Sequence, residues 1–313
     1  LSSGLALASA ARGNGSTMLW YNEPAEEWSG ALPIGNGRLG AMVYGGVDIE
    51  RLQLNEDTLW SGGPHSYDNP EAYQHLSTVR KLLKEGKYAE AEDLAQEMMG
   101  VPIHQAAFQP FGDLYLKFSH HEKATDYRRE LDLEKAVSTV SYQVGDAKFT
   151  RKVFASHPDQ TIVIRLECSL PGQISFDLSN TSPHPFESIT ADGITLSMTG
   201  QVAPRIGKKP DGSRGLTFNW EGEGTRFAAK TRVKPEGGSV SGEGASISVH
   251  NADAVTLYYC AASSYVSHKD TSGDPVAKAD HHLTAIGDRT FEDIYQRHTE
   301  DYSKLFKRVA INL

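Results

Sequence analysis

The feature that most restricts this chain is a long succession of short runs in which apolar and polar residues alternate. RLQLNEDTLW places Leu52 and Leu54 two apart, and FGDLYLKF does the same with Leu114, Leu116 and Phe118. AVSTVSYQV, KFTRKVFAS, TIVIRLECSL, QISFDLS, GITLSMTG, LTFNWEG, RFAAKTRV, ASISVHN and AVTLYYCAA follow. Most are separated by Gly, Asn, Asp or Pro. A period of two puts alternate side chains on opposite faces of a strand, and frequent turn residues let neighbouring strands pair antiparallel. The pattern predicts a mostly β protein, a large antiparallel β-sandwich of the supersandwich kind. Too few helices intervene for parallel βαβ units. At 313 residues the chain can bury a substantial core.

Two helical regions interrupt the strands. Asn69-Pro70-Glu71 offers a cap candidate followed by proline at the first helical position. Ala72, Leu76, Val79 and Leu83 then recur at helical spacing until Gly86, and Ala91, Leu94, Ala95 and Met98 repeat the pattern before Gly100. This predicts an αα-hairpin inserted between strands. A C-terminal helix is expected from Thr290, where Asp293 completes a capping box and Ile294, His298, Tyr302 and Leu305-Phe306 form the apolar stripe. The domain reading is residues 1–17 as the remnant of a secretory leader, 18–289 as the β-sandwich, and 290–313 as the start of a linker. The leader reading rests on LSSGLALASA, which ends in an A-x-A pattern. It predicts an exported protein, periplasmic or extracellular. The strand-like run Val309 to Leu313 is expected to belong to a longer chain.

A net charge of −9 argues against nucleic acid as a partner, because phosphate contacts need a basic face. Arg205-Ile206-Gly207-Lys208-Lys209 reads as a solvated loop. No run of about 20 apolar residues is present, so no membrane-spanning helix is expected. Cys168 and Cys260 lie in strand-like apolar runs and read as two buried free thiols, with a disulfide between them as the alternative. Neither has a second Cys or His at ligand spacing. The adjacent pairs His120-His121 and His281-His282, taken as strand neighbours, would point apart. No metal and no cofactor is expected.

Gly35-Asn36-Gly37-Arg38-Leu39-Gly40 matches G-x-G-x-x-G, and Glu56-Asp57 follows at about the distance of a ribose-binding carboxylate. That fingerprint requires a strand before the first glycine and a helix starting at the last. Here Pro33 precedes the glycines, and AMVYGGV, a strand-like run, follows. With no helix N-terminus to hold a pyrophosphate, the glycines read as a tight turn with close backbone packing.

PIGNGRLGAMVYGG, QLNEDTLWSGGP, FQPFGDLYL, YRRELDLEKA and FTRKVFASHPDQTIVIRL occur in this order. Together they resemble the N-terminal domain of glycoside hydrolase family 95, the α-L-fucosidase family, over about Trp20 to Leu313. The resemblance implies a β-sandwich followed by an (α/α)6 catalytic barrel. It also implies an exported enzyme that removes α-linked L-fucose, or L-galactose, from glycans with inversion. The family's acid and water-activating residues belong to the barrel, so no catalytic residue can be placed on this chain. Its partners would be that barrel and the glycan.

Inverting hydrolysis needs two carboxyl functions roughly 6.5–9.5 Å apart across the sugar. Glu56 and Asp57, adjacent in sequence, could not flank one bond unless the chain turns there. Asn36, Arg38, Asn55, Glu56, Trp60, His65 and Gln109 are the side chains here that suit sugar hydroxyls or ring faces, on Gly-rich loops. They are candidates for the rim of the barrel's pocket or for the interface with it. The alternative is an autonomous carbohydrate-binding module without hydrolase activity, which would need aromatics converging on one surface.

Overall fold

Alternation of buried and exposed positions along most strands builds two antiparallel sheets that face each other across one apolar core. The computed structural model describes residues 17–64, 66, 68–100, 106–119, 121, 123–184, 188–208, 216–219 and 222–310. In chain order the strands begin with β1 (Met18–Tyr21), β2 (Leu32–Gly35), β3 (Leu39–Val43), β4 (Ile49–Glu56), β5 (Gly112–Phe118) and β6 (Thr125–Asp132). Then come β7 (Val137–Val144), β8 (Ala147–Ser156), β9 (Thr161–Cys168), β10 (Ile174–Thr181), β11 (Ser188–Asp192) and β12 (Thr195–Gln201). The last are β13 (Arg205–Lys208), β14 (Leu216–Asn219), β15 (Arg226–Glu236), β16 (Ser239–Glu243), β17 (Ser246–Ala252) and β18 (Ala254–Ser263). The helices are α1 (Ala72–Lys84), α2 (Tyr88–Gln96), α3 (Pro275–Ile286) and α4 (Phe291–Phe306).

One sheet has nine strands in the order β1-β6-β7-β8-β9-β18-β15-β12-β11, the other seven in the order β16-β17-β10-β5-β4-β3-β2, and β13-β14 form a small ribbon. The expected mostly β sandwich is therefore the fold. Leu52, Leu54, Leu114, Leu116 and Leu178 from the seven-stranded sheet meet Val140, Val153, Ile162, Ile164 and Leu257 from the other.

Strands β9 and β18 are buried on both faces along most of their length, which explains their unbroken apolar runs. The second cover is helical. Leu283 and Ile286 of α3 and Phe291 and Ile294 of α4 pack with Val137, Phe154, Val163, Tyr258 and Cys260 on the back of the nine-stranded sheet. The ring of Phe154 lies 4.7 Å from His298 and 5.6 Å from Tyr295. Helix α3 is an addition to the sequence reading, which placed only one helix near the end. Its signal is a good one: Asp274 accepts from the Val276 and Ala277 amides, with Pro275 in the first turn. The same finding corrects the strand reading of His281-His282. Both lie on α3, their ring centroids 5.8 Å apart. Cys168 and Cys260 are free thiols, the first half-buried and the second buried.

Helix α4 starts where the capping box placed it, with Thr290 accepting from the Asp293 amide and Asp293 from the Thr290 amide. Thr290→Ala should lower the unfolding free energy by about 1 kcal/mol in urea denaturation. The αα-hairpin is present, with α1 assigned from Ala72 and preceded by a turn in which the Asn69 side-chain oxygen accepts from the Glu71 amide, the bond expected of a cap. The Asn69 side-chain nitrogen also donates to the carbonyls of Glu97 and Met99, closing the base of the hairpin. Among the described residues no helix is long and apolar enough to cross a membrane.

One buried ion pair ties the two sheets together. Glu50 of β4 keeps the inward phase of Leu52 and Leu54, and Arg151 of β8 that of Phe149 and Val153. Their side chains meet at 2.5 Å with 0% and 2% exposure.

Candidate functional site

The G-x-G-x-x-G stretch is a β-hairpin. Gly35 at the end of β2 pairs with Gly40 of β3, and the Asn36 amide donates to the Leu39 carbonyl. Gly37 has φ +92°, a conformation that glycine adopts without the Cβ penalty of other residues. The Asn36 carboxamide oxygen accepts from the Arg38 and Leu39 amides, and its nitrogen donates to the Ser156 carbonyl. Asn36 therefore shapes the turn and docks it on the β8–β9 connection. No helix follows the glycines, and the dinucleotide reading falls with it.

This turn aims Arg38 across the end of the sandwich. The guanidinium donates to the Gln160 side chain at 2.6 Å, to the Gln160 carbonyl at 3.1 Å and to the Ala261 carbonyl at 2.5 Å. It also lies 3.8 Å from the Glu56 carboxylate. Glu56, the last residue of β4, is buried on the inner phase of the strand. Its oxygens accept from the Thr58 amide and hydroxyl, and the Thr58 hydroxyl is 2.6 Å from that of Ser263 at the end of β18. Arg38, Glu56, Thr58 and Ser263 thus form one polar knot between the sheets. Burial pushes the Glu56 pKa up to about 7, against the hydrogen bonds from Thr58 and the attraction of Arg38, while the charge of Asp57 adds to the rise.

His282 of α3 feels the same knot. Burial, followed by the charges of Arg38, His281 and Lys278, lowers its pKa to about 4. An NMR titration should find the His282 ring neutral down to about pH 4. In Arg38→Ala the midpoint should move up. A wild-type midpoint near 6.5 would contradict this placement.

Over the knot lies an open groove of about 410 Å3, lined by the 57–64 turn, Ala106, Thr225 and, from the segment after β18, Tyr265, Ser267, His268 and Thr271. Trp60 stands 45% exposed at its edge. Its indole nitrogen donates to the Asp57 carbonyl, and Phe108 packs edge-on against the ring at 5.5 Å. The αα-hairpin leaves and rejoins the sandwich beside this pair, where Trp60 and Phe108 form an antiparallel bridge.

The structure thus brings Asn36, Arg38, Glu56 and Trp60 to one end of the sandwich. Asn55 is in register with Gly40 and holds the opposite phase of β4 from Glu56. Gln109 is buried, and its amide donates to the Ala107 and Phe108 carbonyls. His65 lies outside the described residues. Glu56 points inward while Asp57 is exposed, so the two do not flank a common cleft. Sequence reasoning missed Gln160, Ser263, Tyr265, His268 and His282. Only Ser263 and Tyr265 had a cue, as the polar end of an apolar strand.

A family model described as glycosyl hydrolase family 65, N-terminal domain, matches residues 19–268. "Alpha-L-fucosidase 2" of Arabidopsis thaliana is 38% identical over 94% of this chain and 36% of its own length. "Probable alpha-fucosidase A" of Aspergillus niger is 28% identical over 94% of this chain and 38% of its own. The chain therefore spans well under half the length of these curated relatives.

Proposed function

The chain belongs to the family described as glycosyl hydrolase family 65, N-terminal domain, and from that premise we propose that it is the non-catalytic β-domain of an inverting α-L-fucosidase of glycoside hydrolase family 95. Its role is to support a helical catalytic barrel and to shape one side of that barrel's pocket with the Arg38–Trp60 end. The substrate is a glycan carrying α-linked L-fucose or L-galactose, and the enzyme is exported. One observation carries the reading: a relative named as an α-L-fucosidase matches nearly all of this chain but only 36% of itself. The chemistry agrees. The buried Glu56 carboxyl is engaged by Thr58 and Arg38, and among the described residues no second carboxyl faces it across an open cleft.

The test has two arms. The purified chain should release no nitrophenol from a nitrophenyl α-L-fucoside. Substituted for the matched segment of the Arabidopsis relative, it should give a hybrid that hydrolyses the same compound. Turnover by the chain alone would overturn the non-catalytic role. A folded but inactive hybrid would overturn the supporting one.

A further inference from the structure

We propose that the groove beside Trp60 is a sugar-binding subsite carried entirely by this domain, and that it takes one neutral pyranose ring stacked on the indole. Its size falls in the ~300–1,000 Å3 range of small-ligand sites. One wall is aromatic and firm. Trp60 is held at its nitrogen by the Asp57 carbonyl and at its edge by Phe108, yet remains 45% exposed. Facing it, Tyr265, Ser267, His268 and Thr271 offer ring, hydroxyl and imidazole groups. This second wall is also built. Lys278 of α3 donates to the Ser263 and Tyr265 carbonyls, the Val266 amide donates to the Asp270 carbonyl, and the Asp270 carboxylate accepts from the Ser272 amide. The floor is Thr58, fixed by Glu56 and Ser263.

The lining chemistry selects the ligand class. Among the described residues that line the groove none is a lysine or arginine and Asp57 is the one carboxylate, so these residues offer a phosphate or sulfate ester no basic counter-charge. An exposed indole with hydroxyls and an imidazole opposite suits a ring that is apolar on one face and hydroxylated at its edge. Trp20 lies elsewhere, under the Arg128 guanidinium on the β1–β6 edge, and does not extend the aromatic wall that Trp60 makes.

The choice of L-fucose as the leading probe rests on the function proposed above; the groove itself does not. Saturation-transfer NMR with the purified chain and methyl α-L-fucoside, methyl β-D-galactoside or methyl α-D-glucoside should show transfer to at least one of them. Trp60→Ala should weaken that binding about tenfold or more, the loss expected of one aromatic stacking partner. His268→Ala, at an exposed position, should weaken it by about threefold through a lost hydrogen bond. Trp28→Ala, at another exposed tryptophan, should leave it unchanged. Transfer from none of the three sugars overturns the subsite, as does binding that survives both Trp60→Ala and His268→Ala. Either result leaves the hydrolase reading to its own hybrid test. Binding of the galactoside or glucoside alone upholds the subsite and counts against fucose.

Discussion

Replacing Arg151 with methionine lowers the unfolding free energy by about 3–5 kcal/mol, the cost of stranding a buried charge. The partner left behind is Glu50, whose side chain has no exposed surface. In the native chain Glu50 is held by Arg151 and by the Gly45 and Arg51 amides, both of which donate to one carboxylate oxygen. Burial already raises its pKa, with Arg151 the largest opposing influence. Arg151 also donates to the Gly46 carbonyl, so the substitution removes a second contact to the same turn. For a domain of this length the loss corresponds to a fall in melting temperature of about 5–8 °C by calorimetry. Glu50→Gln in the Arg151→Met background should recover much of it. Glutamine keeps an acceptor for the two amides but carries no charge to strand. If the single variant melts within a degree of wild type, the pair contributes nothing to stability.

That pair shows what the sequence made legible and what it did not. The phase of the strands was readable: Leu52 and Leu54 face inward, so Glu50 and Glu56, two residues away on either side, must face inward too. Phe149 and Val153 place Arg151 in the core by the same rule. The pairing between them was not readable, because β4 and β8 lie in different sheets and their apposition is set by how the sheets stack. Helix α3 was hidden for another reason. Its buried face is Ala279, Leu283 and Ile286, a thin stripe on which two histidines and a lysine distract from the period. The unbroken apolar character of β9 and β18 is its indirect trace, since a strand buried on both faces needs a second cover.

The candidate site divides along the same line. The polar residues between Gly35 and Gly40 were visible as chemistry, and the missing helix removed phosphate binding. The destination of Arg38 was not visible. Gln160 and Ala261 are more than a hundred residues away in sequence, and only the meeting of the β2–β3 turn with the β8–β9 turn and the end of β18 brings them to Arg38. Gln109 illustrates the limit of reading residue type alone. An amide suits a sugar, but here it satisfies two carbonyls of its own loop.

Glu56 gives the second large expected effect, a loss of stability as pH rises from about 4.5 toward neutrality. Its pKa is about 7 in the folded chain against an ordinary 4.5, with burial as the first cause. Below pH 4.5 the carboxyl is protonated in both folded and unfolded chains and contributes no slope. Between pH 4.5 and about 7 the unfolded chain gives up the proton while the folded chain holds it, so unfolding becomes easier. Above that range both forms are ionised and the slope ends. At about 1.4 kcal/mol for each pH unit of separation, the loss is on the order of 3 kcal/mol. His282 has the opposite sign, since its lowered pKa costs stability as pH falls from 6.5 toward 4. Subtracting a Glu56→Gln variant isolates the carboxyl, because His282 titrates in both proteins. Urea unfolding at intervals from pH 4.5 to 8 should find the variant gaining on wild type by that amount, with most of the gain before pH 7. A difference that stays flat across the range would mean that Arg38, 3.8 Å away, holds Glu56 ionised throughout. The knot under the groove would then be a permanent ion pair.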